Sequence, residues 1–255
     1  MKYNRLIEEI QKYWNERIHD LEMTTSPVGS IEFFRDLEHY RYDKLHYLPK
    51  IVDFSAYKDK KVLEVGCGIG IDLLRFAREG AVVTGIDLSK SAIELARKNF
   101  KLHGLKAELS IGNGEAMKFK DNTFDLVYAH GVLQYTADIG KMISECHRVL
   151  KPGGEFIGMV YNRKGWLYYM SKWFNVPLEH EDAPGLKFYT IKEFRGYLKQ
   201  FSDVRVVPER FPVRSRLQKG FKAFLFNYFF VTLFNMIPRF LVRGCGWHLM
   251  AFGVK

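Results

Sequence analysis

The stretch Lys61-Val62-Leu63-Glu64-Val65-Gly66-Cys67-Gly68-Ile69-Gly70 constrains this chain more than any other. Val62, Leu63 and Val65 form the short apolar run that a buried central strand needs. The glycines behind it permit a sharp turn and bring bare backbone close to a ligand. Ile71 to Ala77 then reads as a helix whose free N–H groups point back at the loop. Strand, glycine loop and helix in that order predict an α/β fold with a nucleotide-type ligand at the turn. A dinucleotide fingerprint expects its third glycine where Ile71 stands. Glu64, two residues before Gly66, would repel a pyrophosphate but would meet an ammonium group.

Downstream spacing supports the same fold. Ala81 to Asp87 reads as a second strand ending in an acid about twenty residues past the loop, the place of a ribose-binding carboxylate. Its two oxygens and lack of a proton match two ribose hydroxyls. Ser89 is the better N-cap for the helix that follows, which Gly104 ends. Ala107–Ile111 is a third strand, leading into Gly112-Asn113-Gly114-Glu115-Ala116. Phe124–Ala129 is a fourth, opening into His130-Gly131-Val132-Leu133-Gln134-Tyr135. An amphipathic helix, Ile139–Leu150, is closed by Lys151-Pro152-Gly153-Gly154, and Glu155–Tyr161 is the fifth strand. Thr190 and Glu193 form a capping box for a helix reaching Phe201. Val204–Val207 and Trp247–Val254 supply the sixth and last strands. Strands alternating with helices predict a doubly wound parallel sheet.

Taken together, E-V-G-C-G-I-G at 64–70, Asp87, the 112–116 loop and R-V-L-K-P-G-G at 148–154 resemble class I S-adenosylmethionine-dependent methyltransferases of the type 11-like, small-molecule kind. The resemblance runs from Val62 to Gly154. It implies a Rossmann-like seven-stranded sheet whose last strand is antiparallel between two others, with N-terminal helices lying over cofactor and substrate. It implies S-adenosyl-L-methionine as cofactor and S-adenosyl-L-homocysteine as product. The cofactor-binding residues it carries over are Glu64, Gly66, Cys67, Gly68, Gly70, Asp87, Leu88, Asn113, Gly114, Glu115 and His130. Where the family usually reads G-D-A-E, this chain has Asn113, whose amide oxygen can still accept from the adenine amino group. Gln134 and Tyr135 replace two histidines of the family's G-V-L-H-H.

The remaining chain reads as additions to a single domain. Residues 1–58 form the helical lid, with helices over Asn4–Leu21, including Ile18, and over Ile31–Leu48, the latter stopped by Pro49. Tyr13 and Trp14 are its lid candidates, and Tyr40, Arg41, Tyr42 and His46 are polar handles that read mainly as packing. The cofactor core is 59–161, ending at Tyr161, another residue for the substrate wall. An aromatic insertion spans 162–188, the sixth-strand unit 189–210, a second insertion 211–246, and the last strand 247–255. Three cysteines without a C-x-x-C pair point to a reduced, cytoplasmic setting rather than a disulfide frame. The N-terminus has no signal-peptide core.

The formal charge of +10 is concentrated near the C-terminus, where residues 205–255 hold nine Lys/Arg against Glu209, a local +8. Such a patch suits an anionic partner. Arg210, Arg214, Arg216 and Lys219 precede the apolar run Phe221–Ile237, Lys222 stands at its start, and Arg239 and Arg243 follow it. That run is shorter than the ~20 residues of a membrane span. It predicts either a cap or subunit contact buried in protein, or peripheral membrane contact through 211–246.

The implied chemistry is in-line methyl transfer to a small organic or lipid-like acceptor, with the protein binding, aligning and excluding water. If the acceptor must lose a proton, His130, Tyr135 and His180 are the candidate groups. A nucleic-acid methyltransferase is disfavoured because Tyr128-Ala129-His130-Gly131 stands where base-amine enzymes carry a polar-Pro-Pro-aromatic motif. A non-catalytic adenosylmethionine-binding protein is the other alternative. Glu179-His180-Glu181-Asp182 is not a metal site, since adjacent side chains do not converge on one ion.

Overall fold

A computed structural model of the chain describes residues 2–17, 20–174, 176, 178–214 and 220–255. The seven strands are β1 (Lys61–Val65), β2 (Val82–Asp87), β3 (Glu108–Ile111), β4 (Phe124–Ala129), β5 (Leu150–Tyr161), β6 (Ser202–Glu209) and β7 (His248–Val254). They lie in the order 3-2-1-4-5-7-6. β1 to β5 are parallel, and β7 runs antiparallel between β5 and β6. This is the Rossmann-like sheet that the resemblance implied.

The helices are α1 (Lys2–Glu16), α2 (Ile31–Lys44), α3 (Leu48–Ile51), α4 (Ile71–Arg78), α5 (Lys90–Leu102), α6 (Ile139–Val149), α7 (Trp166–Phe174), α8 (Ile191–Tyr197), α9 (Phe221–Leu225), α10 (Val231–Met236) and α11 (Arg239–Val242). Strand alternation sorts the core into two layers. Leu63, Val65, Val127 and Ala129 pack on one face with Ile143, Val149 and Phe194 from α6 and α8. Val62, Leu126 and Tyr128 pack on the other with Leu73 and Phe76 of α4 and Phe100 of α5. Glu64 alternates with Leu63 and Val65, so it belongs to the α4 side, where the glycine loop turns.

Several boundaries differ from the sequence reading for local reasons. α1 stops at Glu16, and Ile18 lies outside the described residues. Pro49 does not end the second helix. α2 finishes at Lys44, and Pro49 sits in the first turn of the short α3, where its missing N–H costs nothing. The Lys-Pro-Gly-Gly turn is absorbed into β5 as a register irregularity opposite Phe124 and Leu126. Ser89 caps α5 by accepting from Ala92 N–H, and the Thr190–Glu193 capping box forms as expected on α8, though that helix ends at Tyr197.

α1 is tied to the start of α5. Ser89 Oγ donates to the Trp14 carbonyl and Ser91 Oγ to the Asn15 carbonyl, each at 2.9 Å, while Asn15 Oδ1 accepts from Lys90 N–H at 2.7 Å. The last turn of α1 is thus held at the C-terminal end of β2.

In the second insertion, α9 and α10 are joined through a π-helical turn at Phe226–Phe230. Phe226 and Phe230 rest on Trp166 of α7, with ring centroids 5.9 and 5.8 Å away, and Val231 is buried. The opposite face is not covered: Phe221, Met236 and Phe240 are 74%, 74% and 76% exposed, and Phe229 and Leu233 are exposed too. Among the described residues of 211–246, none lines the main cavity, so no cap over it is seen there. Arg216 and Lys219 lie outside the described residues. Among the described residues, no helix is long and apolar enough to cross a membrane.

Candidate functional site

The main cavity opens beyond the carboxyl ends of β1, β2 and β4, where ligands sit in open α/β sheets. Gly66, Cys67 and Gly68 form its floor, with Asp87, Leu88, Gly112, Gly114, Glu115 and His130 around the rim. Gly66 has a positive φ of 71°, and a Cβ there would lie 2.6 Å from the Val132 side chain, so only glycine fits. Gly68, also left-handed at 53°, faces open space. Its N–H donates to Asp87 Oδ2 at 2.9 Å, and Ser89 N–H donates to Oδ1 at 2.8 Å. Asp87 thereby fixes the loop and keeps a lone pair on each oxygen for a ligand. Burial raises its pKa, opposed by those two N–H groups.

Glu64 is the unusual group of this floor. It is buried, and its Oε2 has no hydrogen-bond partner. Burial, with the negative charge of Asp72 second, pushes its carboxyl well above the usual range, and Arg41 only partly opposes this. An orphaned carboxylate oxygen in a cavity of this kind fits a cationic ligand group, such as an amino-acid ammonium.

Other residues singled out from the sequence fall elsewhere. Gly70 does not line the cavity; it caps α4 in the left-handed region and packs toward Phe100. Asn113 is also outside the lining, because its Oδ1 accepts from Glu115 N–H at 2.9 Å in a tight local turn. That bond leaves the oxygen one further lone pair, with the side chain set in the turn beside the cavity. Glu115 reaches the cavity, yet its carboxylate is taken by Tyr3 OH and by the N–H groups of Ala137 and Asp138. Trp14 lines the cavity, with its ring 5.2 Å from that of Tyr135. Tyr13 does not; its hydroxyl donates to Asp182 at 2.7 Å and lies 3.2 Å from His180 Nδ1. His180 is likewise absent from the lining, and its ring packs against Tyr13 and Trp14 of α1, with centroids 6.1 and 4.8 Å away.

The same cavity is also lined by Leu37, Leu45, Met159, Tyr135 and Tyr161, which form its chamber. Tyr135 OH donates to Tyr161 OH at 3.2 Å. Ion pairs close the chamber. Arg41 forks onto Asp72, which is 1% exposed and also accepts from Tyr42 and Tyr128 at 3.1 and 2.8 Å. Burial alone would raise the Asp72 pKa, but the Arg41 charge outweighs it and holds the carboxyl at about 2. Lys44 bridges Asp20 and Glu179 at 3.1 and 2.9 Å. Arg210 pairs with Glu179 at 3.1 Å and approaches His248. By its place in the sequence Arg210 reads as a basic flank of the apolar run. It is instead turned into the chamber from a left-handed backbone position (φ 57°), a conformation that composition does not reveal. Arg41 reads as a packing residue, and Lys44 and His248 carry no signal, since their partners come from distant segments. Among the described residues no cluster of His, Cys, Asp and Glu suits a metal ion.

Comparison with known proteins agrees with this geometry. Residues 63–158 match the family described as methyltransferase domain. The chain is 37% identical over 97 residues to a sterol 4-C-methyltransferase of Caenorhabditis elegans, covering 37% of this chain and 29% of that protein. It is 33% identical over 152 residues to a ubiquinone biosynthesis O-methyltransferase of Hahella chejuensis, covering 53% and 62%. The chain thus spans less than two thirds of these curated relatives. Among solved structures, geranyl diphosphate C-methyltransferase from Streptomyces coelicolor aligns with a TM-score of 0.62 at 15% identity, covering 98% of this chain and 96% of that one. An S-adenosylmethionine-dependent methyltransferase from Thermotoga maritima gives 0.60 at 17%, covering 98% and 99%. Residues 63–158 are thus similar to a methyltransferase domain, and the likeness to solved structures, which concerns the fold, extends over nearly the whole chain.

Proposed function

We propose that this chain is an S-adenosylmethionine-dependent methyltransferase that acts on a small, largely apolar acceptor. The observation that carries the reading is the orphaned Glu64 oxygen beside the Gly66–Gly68 loop and Asp87, in a cavity that includes an aromatic chamber. Glu64 would hold the ammonium group, and Asp87 the ribose hydroxyls through its free lone pairs. S-adenosylmethionine, when bound, supplies a sulfonium methyl for in-line displacement. The chain's part is to align the acceptor against Tyr135, Met159 and Tyr161 and to exclude water under Trp14. Two relatives are named for a sterol and for ubiquinone biosynthesis, and an apolar acceptor would suit walls of this kind.

Titration calorimetry tests this. Adenosylmethionine and adenosylhomocysteine should bind, and NAD should not. Asp87→Ala should weaken adenosylhomocysteine by roughly 10- to 100-fold, the loss of hydrogen bonds to a charged acceptor. Asp87→Asn, which keeps an oxygen for Gly68 N–H, should fall between. Binding of NAD without response to adenosylhomocysteine would remove the reading.

We further propose that the uncovered apolar face of α9 to α11 meets an anionic lipid surface, from which an apolar acceptor would be drawn. Charge supports this: residues 210–255 contain no Asp or Glu, and basic residues stand on both sides of the apolar run. Phe226 and Phe230 face Trp166, so the outward residues are the ones to change. Vesicles of phosphatidylglycerol and phosphatidylcholine should sediment the protein at low salt and release it as salt rises. Phe229→Asp with Leu233→Asp should abolish sedimentation and leave adenosylhomocysteine affinity intact. Wild type that ignores vesicles, or a variant that changes oligomeric state instead, would assign this face to a protein contact.

A further inference from the structure

One phenol oxygen joins two histidines behind the chamber. Tyr47 Oη lies 3.2 Å from His130 Nε2 and 2.6 Å from His248 Nδ1. The far nitrogen of each ring faces an arginine. Arg41 Nη2 is 3.2 Å from His130 Nδ1, and Arg210 Nη1 is 3.1 Å from His248 Nε2. A guanidinium has only donors. Each arginine therefore donates to the nitrogen it faces, and the proton of each neutral ring sits on the other nitrogen. His130 is then the Nε2–H tautomer and His248 the Nδ1–H tautomer, and both donate to Tyr47. The tyrosine's own proton is left the Met250 thioether, 3.8 Å away.

We infer that Tyr47 is a positioning residue that locks His130 and His248 as neutral imidazoles with no lone pair free, so that the methyl acceptor must be nucleophilic before it binds. The second half rests on the methyltransferase reading above. It selects acceptors that are already ionised or electron-rich, such as a thiolate, an ionised phenol or an activated double bond. It excludes a plain alcohol that needs histidine to take its proton.

Among the described residues of the chamber the other ionisable side chains are engaged, and Glu64 is reserved for the cofactor's ammonium on the reading above. Asp72 is held by Arg41, Tyr42 and Tyr128, and Asp20 and Glu179 are paired with Lys44 and Arg210. Tyr135 donates to Tyr161, whose phenol burial pushes up to about 12. Burial, then the Arg41 charge, draws His130 down to about 3, and burial and Arg210 draw His248 well below the usual histidine range. Both shifts favour the neutral rings.

Long-range proton–nitrogen NMR of the full, ligand-free chain labelled with 15N-histidine tests the network directly. His130→Gln and His248→Gln assign the two rings. One ring should show the Nε2–H pattern and the other the rarer Nδ1–H pattern, with neither titrating from pH 5.5 to 8. Tyr47→Phe should shift both rings at once. Two Nε2–H rings, or a ring titrating near the ordinary value of about 6.5, would overturn the inference. If Tyr47→Phe does not fold, the wild-type pattern decides alone. These spectra need no cofactor, so the tautomers can be read even from a chain that fails to bind adenosylmethionine. With an acceptor in hand, kcat/KM should lack a limb near 6.5; such a limb alongside the expected spectra would overturn the acceptor half alone.

Discussion

Arg41→Ala should lower stability by about 3–5 kcal/mol at pH 7, the loss seen when one partner of a buried ion pair is removed. The reason lies in Asp72. Its carboxylate is 1% exposed and receives a two-pronged guanidinium as well as two phenol hydroxyls. The phenols can stay in the variant, but they bring no charge. Burial would then raise the pKa that Arg41 now holds at about 2. Because the native value is below the ordinary carboxylate range, this pair's contribution is full above about pH 4 and fades as pH falls toward 2. In Arg41→Ala the shift reverses, so the variant is most deficient near neutrality and the gap to wild type narrows in acid. Urea unfolding at pH 7 and pH 4 measures both. A loss under about 1 kcal/mol would mean that water reaches Asp72 and replaces the arginine. Arg41→Lys should recover only part, since an ammonium cannot fork across both carboxylate oxygens.

That pair also marks where sequence reading stopped. The glycine loop, Asp87 and the strand order were legible because their signals are local: short apolar runs, glycines at fixed spacing and an acid at a strand end. These dictate backbone path, and backbone path brings Glu64, Gly66, Gly68 and Asp87 to one cavity. The chamber was not legible in this way. Arg41, Tyr47, Arg210 and His248 come from α2, the turn before α3, the end of β6 and the start of β7, and no spacing rule links them. Charge composition even misdirected Arg210, since a basic stretch reads as a solvated or lipid-facing surface until its backbone turn is known. Asn113 lies outside the cavity lining for a smaller reason. An Asn at the head of a tight turn can satisfy a nearby N–H instead of a ligand, and here Glu115 N–H takes its oxygen. The apolar run at 221–237 was recognised as needing a covering surface, and its outer face remains exposed in the fold.

Glu64→Gln should make the free protein more stable and the ligand-bound protein less so. In the free chain Glu64 is a liability: one oxygen has no partner, and Asp72 and Asp87 add like charge. Removing its charge should stabilise by about 1–3 kcal/mol near neutral pH, the usual cost of an unsatisfied buried group. The sign with pH is opposite to that of Asp72. A carboxyl with a raised native pKa penalises folding most above that value, and the penalty vanishes once both states are protonated, below about pH 4. The advantage of Glu64→Gln should therefore shrink as pH falls. Adenosylmethionine reverses the order. An ammonium group set against this carboxylate would lose about 2–5 kcal/mol when the charge is removed, a drop in affinity of at least thirtyfold. Since bound ligand stabilises in proportion to the logarithm of its concentration over Kd, saturating adenosylmethionine should raise the melting temperature of wild type above that of the variant. Methylthioadenosine, a nucleoside without the amino-acid ammonium, should bind both proteins equally. That pairing separates the role of the charge from any general damage to the loop. Equal weakening of both ligands would show that Glu64 shapes Gly66–Gly70 and does not meet the ammonium.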